Sequence, residues 1–167
     1  MTVLETGRLA LREFTGADAA FVLRLVNDPA FLRYIGDRGV RTLDDARRYI
    51  AEGPVAGYAR DGHGLMRVDR KSDGVALGMC GLLKRDALPE PDIGFSFLPE
   101  YRSQGYALES ARAVMEHARE TLGLGRILAI TTRDNDPSMR LLDKLGFRFE
   151  RMIQFGDEEL RLFASEP

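Results

Sequence analysis

The sequence predicts one mixed α/β domain that spans residues 1–167. A chain of 167 residues is typical of a single domain, and no internal repeat, low-complexity stretch or linker-like segment divides it. Strand-like and helical patterns follow one another in the order β-α-α-β-β-β-α-β-α-β-β. Helices alternate with strands in the second half, whereas the middle strands form a hairpin run. Together these two arrangements predict a mixed sheet with helices on its faces.

The first quarter of the chain predicts one strand and two helices. Within the strand, residues 8–14, Leu9 and Leu11 alternate with less apolar neighbours. Two Thr-x-x-Asp pairs predict helix starts, because such a threonine and acid can each cap a backbone N–H group of the other. These pairs are Thr15 with Asp18 and Thr42 with Asp45.

Prolines and glycines set the expected ends of these helices. The first helix should stop before Pro29, and the second should end at Gly53-Pro54. The short apolar segment 31–36 between them fits either a further helical turn or a loop.

The middle of the chain predicts three strands. Strands 64–70 and 75–85 are separated by Lys71-Ser72-Asp73-Gly74, a combination that is typical of a hairpin turn. The third strand, residues 92–98, is closed by Pro99.

The second half predicts alternating helices and strands. Apolar residues recur at helical spacing over 105–122, and Gly123 and Gly125 follow, as expected where a helix ends. A nearly continuous apolar run within 126–132 suits a strand that is covered on both faces. The remaining predicted elements are a helix from Asp136-Pro137 to Gly146 and strands 147–153 and 158–163.

Composition excludes several function classes. With 24 basic and 26 acidic residues the net charge is −2, which lacks the basic surplus of a non-specific nucleic-acid binder. No apolar run approaches the roughly 20 residues that span a bilayer, and charged residues interrupt the N-terminus where a signal peptide would be apolar. The single Cys80 excludes an internal disulfide framework and a cysteine-based zinc site, so we expect a cytoplasmic protein without a metal.

Residues 99–109 are the part of the chain that most clearly indicates a binding site. A strand ends at Pro99, a short loop holds Arg102, and a helix begins beside Gly105 and Ala107. The first turn of a helix leaves N–H groups unpaired and carries a partial positive charge, and small residues let a phosphate approach the backbone. Arg102 could add a charge-assisted bond to the same anion. Neither the P-loop nor the dinucleotide fingerprint is present, so the pattern predicts a different phosphate site or an ordinary helix start.

The context of this stretch resembles the GNAT superfamily of acyl-CoA-dependent N-acetyltransferases. Within that superfamily the chain looks most like the branch that acetylates the N-termini of ribosomal proteins. The motifs that carry the resemblance are Thr6-Gly7-Arg8-Leu9-Ala10-Leu11-Arg12, Gly78 and Gly81, Asp92-Ile93-Gly94-Phe95, Gly105-Tyr106-Ala107-Leu108-Glu109, and Asn135 and Ser138 followed by Leu145-Gly146-Phe147.

The resemblance implies a fold and a cofactor site. It implies a mostly antiparallel sheet of six or seven strands, with acetyl-CoA as cosubstrate and a homodimer as one option. The pantetheine arm would pair with the segment from Phe95 to Phe97, where two neighbouring parallel strands splay apart. Asn135 would contact this arm and Ser138 would hydrogen-bond near the sulfur. The diphosphate would lie on Arg102 and on the backbone amides of Ser103, Gln104, Gly105, Tyr106, Ala107 and Leu108.

The sequence offers two candidate catalytic groups, Asp92 and Ser138. An amine that attacks a thioester must be neutral, and we name Asp92 as its base, although a solvated acid at a strand end fits the same residue. The resemblance also brings two departures: Leu142 stands where many relatives have a tyrosine acid, and Ile130 where some have a glutamate base. Because a serine hydroxyl is a weak acid, Ser138 would act by hydrogen bonding.

Three hypotheses follow from these patterns. The first is an acetyl-CoA-dependent N-acetyltransferase that acts on a primary amine, either a protein N-terminal α-amino group or a small amine. The second is a catalytically weak acyl-CoA-binding regulatory domain, which Leu142 and Ile130 motivate. The third is an ordinary phosphate- or nucleotide-binding α/β domain.

Overall fold

A computed structural model describes residues 3–167, and within these residues eight strands form one sheet. Met1 and Thr2, the first residues of the predicted domain, lie outside the described residues. The spatial order is β1-β2-β3-β4-β5-β6-β8-β7, and within the described sheet every neighbouring pair is antiparallel except β5 with β6. The strands are β1 (Val3–Glu5), β2 (Leu9–Glu13), β3 (Leu65–Arg70), β4 (Ala76–Leu83), β5 (Asp92–Phe97), β6 (Ile127–Thr131), β7 (Arg148–Phe155) and β8 (Glu158–Ser165).

This sheet confirms the predicted fold class and adds one strand to it. Each of the seven strands expected from the sequence is present, with bounds that differ by a few residues. The eighth, β1, has three residues and pairs with β2 through Leu4 opposite Leu11. Three residues are too few to show a strand periodicity, so the sequence did not reveal it.

The same described residues form six α-helices, and both predicted capping boxes open helical segments. Thr15 and Asp18 cap a short 3-10 turn that leads into the first helix, and Thr42 and Asp45 cap the third. The segment 31–36, whose sequence fits either a helical turn or a loop, contributes to a short helix. The helices are α1 (Ala19–Val26), α2 (Pro29–Tyr34), α3 (Leu43–Ile50), α4 (Ala56–Asp61), α5 (Tyr106–Glu120) and α6 (Asp136–Lys144).

The prediction that Gly53-Pro54 ends the second long helix was wrong. The helical path continues from α3 through a π-helical turn, Ala51–Val55, into α4. It ends only at Gly62, whose φ of 78° is left-handed. Proline lacks an N–H group, and a π turn already interrupts the regular hydrogen-bond ladder, so the proline is accommodated there.

Helices cover both faces of the sheet, as predicted. On one face α5 and α6 bury Ala111, Val114 and Leu142 against a core that includes Leu11 and Val68. On the opposite face a second core holds α1, α2 and α3; its helical residues include Val22, Leu25, Phe31, Ala46 and Ile50.

Candidate active site

A gap opens in the sheet between β5 and β6. Within residues 3–167 these two neighbouring strands share one register pair, Asp92 opposite Leu128, beside a hydrogen bond of 2.9 Å from Leu128 N–H to the Pro91 carbonyl. Beyond this pair the strands diverge toward their carboxyl ends. The expected splay of two parallel strands is therefore present. The closed end of the gap is at Asp92, and its open end is at Phe97, where β5 ends.

The β5 side of this gap presents backbone polar groups. Leu98 N–H donates to the Leu77 carbonyl of β4 at 3.0 Å, and Gly78 faces Phe97 in the same register. Because bonding direction alternates along an antiparallel strand, Phe95 and Phe97 direct their N–H and C=O groups away from β4 and toward the gap. A peptide-like ligand could pair with this edge.

The loop that follows β5 leads into the N-terminus of α5 at the open end of the gap. Gly105 precedes the helix with a left-handed φ of 83°, and Ser103 also has a positive φ, 62°. The first helix bond is from Glu109 N–H to the Gly105 carbonyl, at 3.0 Å. In the described part of the chain no protein atom accepts the N–H groups of residues 105–108, as expected for a first helical turn.

Arg8 and Glu109 brace this helix start. The carboxylate of Glu109 accepts the Thr6 hydroxyl, the Arg8 N–H at 3.0 Å and Arg8 Nε at 2.8 Å. Arg8 Nη1 donates to the Gln104 carbonyl at 3.1 Å, and the guanidinium lies 4.4 Å from the ring centroid of Tyr106. Burial alone would raise the pKa of Glu109, but the bonds from Thr6 and Arg8 outweigh it and lower the pKa. We did not name Arg8 from the sequence, although it lies in the Thr6-Gly7-Arg8 motif.

The guanidinium of Arg102, which we expected to face an anion, bonds to Asp28 and to the backbone of β5. Its Nη2 donates to Asp28 Oδ2 at 2.5 Å and its Nε donates to the Phe97 carbonyl at 3.0 Å. The guanidinium therefore connects the loop to the free edge of β5 and to α2.

Asp92 lies at the closed end of the gap and is 1% exposed. Its Oδ1 accepts Arg85 Nε at 3.0 Å, whereas its Oδ2 is buried without a hydrogen-bond partner among the described residues. Burial raises the pKa of Asp92, and Arg85 offsets only part of that effect. The alternative of a solvated acid at a strand end was therefore wrong.

The β6 side of the gap continues into the start of α6. Asn135 caps this helix, since its Oδ1 accepts the Ser138 N–H at 3.3 Å. Both side chains are partly buried. Among the described residues, neither the Asn135 amide NH2 nor the Ser138 hydroxyl has a hydrogen-bond partner. Leu142 is 1% exposed within the α5/α6 core, whereas Ile130 packs against a separate apolar cluster that includes Leu128 and Leu162.

Comparison with known proteins identifies the family. The model of the acetyltransferase (GNAT) domain matches residues 8–148. The chain belongs to the GNAT acetyltransferase family. It is 30% identical to the uncharacterized N-acetyltransferase YoaA of Bacillus subtilis over 154 residues, 91% of this chain and 86% of that protein.

Solved structures agree with this assignment. A GNAT-family acetyltransferase from Bacillus anthracis superposes with a TM-score of 0.81 at 26% identity, covering 99% of this chain and 98% of that one. A ribosomal L7/L12 α-N-protein acetyltransferase, solved in complex with coenzyme A, has a TM-score of 0.86 at 15% identity and covers 99% and 98%. At that identity the second likeness shows the shared fold alone.

As a GNAT enzyme the protein is an acetyl-CoA-dependent N-acetyltransferase. No helix within residues 3–167 is both long and apolar enough to cross a membrane. The structure brings the predicted site residues to one gap: Phe95 and Phe97 on one side, the α5 N-terminus at the open end, Asn135 and Ser138 on the other side, and Asp92 at the closed end.

Proposed function

We propose that this enzyme transfers the acetyl group of acetyl-CoA to a primary amine, with the coenzyme held in the gap between β5 and β6. The observation that carries the proposal is the juxtaposition of two sets of backbone groups: those that β5 directs away from β4 into the gap, and the unpaired N–H groups in the first turn of α5. On the β5 edge the Phe97 carbonyl also accepts Arg102 Nε. The first set suits the amides of a pantetheine arm, and the second suits a diphosphate.

The proposed coenzyme contacts follow from this juxtaposition. The backbone N–H groups from Ser103 to Leu108 would hold the diphosphate, through Ser103, Gln104, Gly105, Tyr106, Ala107 and Leu108. Arg102, whose guanidinium is paired with Asp28, would contribute to this site by holding the loop that carries these N–H groups. Phe95 and Phe97 would pair with the arm from the β5 side, and the amide of Asn135 would contact it from the α6 side. When bound, acetyl-CoA supplies an activated thioester.

Asp92 is the proposed general base. Its free Oδ2 can take a proton from the substrate's ammonium group, which leaves the neutral amine to attack the thioester, and its raised pKa makes it a stronger base than an ordinary aspartate. An α-amino group, with a pKa of about 8, needs less help to lose its proton than a lysine side chain at about 10.4. The Ser138 hydroxyl would donate a hydrogen bond near the sulfur.

The proposed acceptor is a protein N-terminal α-amino group or a small amine. The shared fold with ribosomal-protein acetyltransferases and the motifs of that branch support this choice. We further propose that residues 1–167 act as one domain in the cytoplasm, as a monomer or homodimer, without nucleic acid, membrane or metal.

One observation favours a second candidate, a catalytically weak acyl-CoA-binding regulatory domain. Leu142 and Ile130 are packed in apolar surroundings, and Asp92 is sealed from solvent, so these three positions offer few groups for proton transfer.

The experiment that separates the two is a coenzyme-release assay. The protein is incubated with acetyl-CoA, a thiol reagent and a panel of amines that includes N-terminal peptides, peptides with only a lysine amine, and small amines. Steady thiol release with at least one amine supports the enzyme. Tight CoA binding by calorimetry without release for any amine supports the regulatory domain, and equal affinity for ADP and CoA would contradict both.

A further inference from the structure

Asp28 precedes α2 and lies outside the proposed coenzyme and catalytic groups. Its side chain is 7% exposed, and its Oδ2 accepts donors from two separate elements. One is the Ala30 N–H of α2 at 3.2 Å, and the other is Arg102 Nη2 at 2.5 Å. A single carboxylate oxygen therefore caps α2 and holds the loop that follows β5.

Arg102 extends this contact to the gap. Its Nε donates to the Phe97 carbonyl at 3.0 Å, and that carbonyl belongs to the free edge of β5. A series of hydrogen bonds thus runs from the start of α2, through Asp28 and Arg102, to the backbone that borders the proposed pantetheine site.

The opposite end of α2 is attached to the other side of the gap. Arg33 Nη2 contacts Asp134 Oδ2 at 2.9 Å, and Asp134 lies in the connection from β6 to α6. This pair is exposed, with side chains 64% and 59% accessible, whereas Asp28 is buried. Exposed pairs contribute little, so the attachment through Asp28 is the stronger of the two.

We propose that Asp28 is a positioning residue that couples the acetyl-CoA site to α2; this role rests on the proposed function. A ligand on the β5 edge restrains Phe97 and the loop at Arg102, and Asp28 passes that restraint to α2. Coupling between two sites is reciprocal, so a change that loosens α2 from the loop also weakens coenzyme binding.

Two substitutions separate this role from helix capping. D28N keeps a side chain that caps a helix as well as aspartate does but removes the charge that holds Arg102, whereas D28A removes both. R102Q breaks the same contact from the partly exposed side, and D28N/R102Q completes a double-mutant cycle. E100Q is the matched control, because the exposed Arg24–Glu100 pair joins α1 to the same loop.

The measurements are the CoA dissociation constant by calorimetry and amide hydrogen exchange of residues 28–35 with and without CoA. In the wild-type protein CoA should slow exchange in α2. We expect D28N and R102Q each to raise the dissociation constant about tenfold and to abolish that slowing, with no further loss in the double variant. E100Q should stay within about twofold of wild type.

Several results would overturn the proposal. If D28A alone weakens binding while D28N behaves as wild type, Asp28 is only a helix cap. If the double variant shows the full sum of the single effects, the two residues do not act together. Thermal unfolding checks that each variant folds. If D28N does not, hydrogen exchange of residues 28–35 in R102Q at saturating CoA carries the test, because Arg102 also contacts Phe97 directly and its affinity alone does not isolate Asp28. A wild-type protein without CoA affinity refutes the proposed function itself, whereas normal affinity in both wild type and D28N refutes only the role of Asp28.

Discussion

The two ends of the gap between β5 and β6 hold carboxylates in opposite environments. At the open end, Glu109 accepts bonds from Thr6 and Arg8, and these lower its pKa. At the closed end, Asp92 keeps one oxygen without a partner in the described structure, and burial raises its pKa. The number of hydrogen-bond donors around a carboxylate, more than its residue type, therefore distinguishes an acid that braces the backbone from one that can take a proton.

The ends also differ in what builds them. The open end relies on backbone N–H groups, which side-chain substitutions leave in place unless the backbone itself moves. The closed end relies on single side chains, above all Asp92 and its partner Arg85. We therefore expect substitutions at the closed end to act on turnover, and backbone changes at the open end to act on coenzyme affinity.

Removing the carboxylate at the closed end should have the largest effect. We expect D92N to lower kcat by about 10²- to 10⁴-fold, the usual contribution of a general base, and to leave the CoA dissociation constant unchanged. In the wild-type enzyme the rate should fall as the pH is lowered through the pKa of Asp92. The control is D86N, because Asp86 is an exposed aspartate in the connection between β4 and β5. Normal turnover in D92N would show that the amine needs no base from this position.

Distorting the backbone at the open end should have an intermediate effect on affinity. Gly105 has a φ of +83°, and a Cβ there would lie 3.2 Å from Arg8 Nη2. Because an alanine resists this conformation, G105A should shift the N–H groups of the first turn and raise the CoA dissociation constant about tenfold.

The matched control for that prediction is G123A. Gly123 has a φ of +64° and lies at the far end of α5, and apart from Gly123 and its two chain neighbours no atom of the described residues comes within 4 Å of the position that a Cβ would occupy there. Calorimetry and thermal unfolding should show that both variants lose stability but that only G105A loses affinity. Equal affinity in the two variants would mean that the α5 N-terminus does not hold the coenzyme.

The smallest expected effects are opposite slopes of stability against pH. The folded pKa of Asp92 lies above its unfolded value, so the free energy of unfolding should decrease as the pH rises between the two. The folded pKa of Glu109 lies below its unfolded value, so its contribution is present above the unfolded pKa and is lost as the pH falls through the folded pKa. Each group can change the slope by at most about 1.4 kcal/mol per pH unit.

Urea titrations over a pH series measure both slopes. D92N should remove the decrease above about pH 4, the ordinary pKa of a carboxyl group, and E109Q should reduce the loss below it. If both variants change the slope in the same direction, the contrast between the two carboxylates is wrong.

The local signals in the sequence predicted much of this structure. Thr15 with Asp18 and Thr42 with Asp45 form the capping boxes that their spacing indicates. Pro54 misled, because its effect depends on whether the hydrogen-bond ladder is already interrupted at that place. Pro54 is buried in the π turn between α3 and α4, and a local pattern does not show burial.

The site divides in the same way. Gly105 and the helix start were recognisable because a left-handed turn before a helix restricts the residue type locally. The contacts of Arg8 with Glu109 and of Asp28 with Arg102 join residues far apart in the chain, so spacing could not reveal them. The burial of Asp92 was equally hidden, since a strand end looks the same whether water or a core surrounds it.

By itself, the sequence determined the order of elements, the helix starts and the backbone geometry that precedes α5, because these depend on residues within a few positions of one another. The tertiary structure alone decided where β5 and β6 separate, which acid is bonded by several donors and which is left with a free oxygen. Those properties depend on the dielectric surroundings and on partners brought together by folding, and no short stretch of chain contains either.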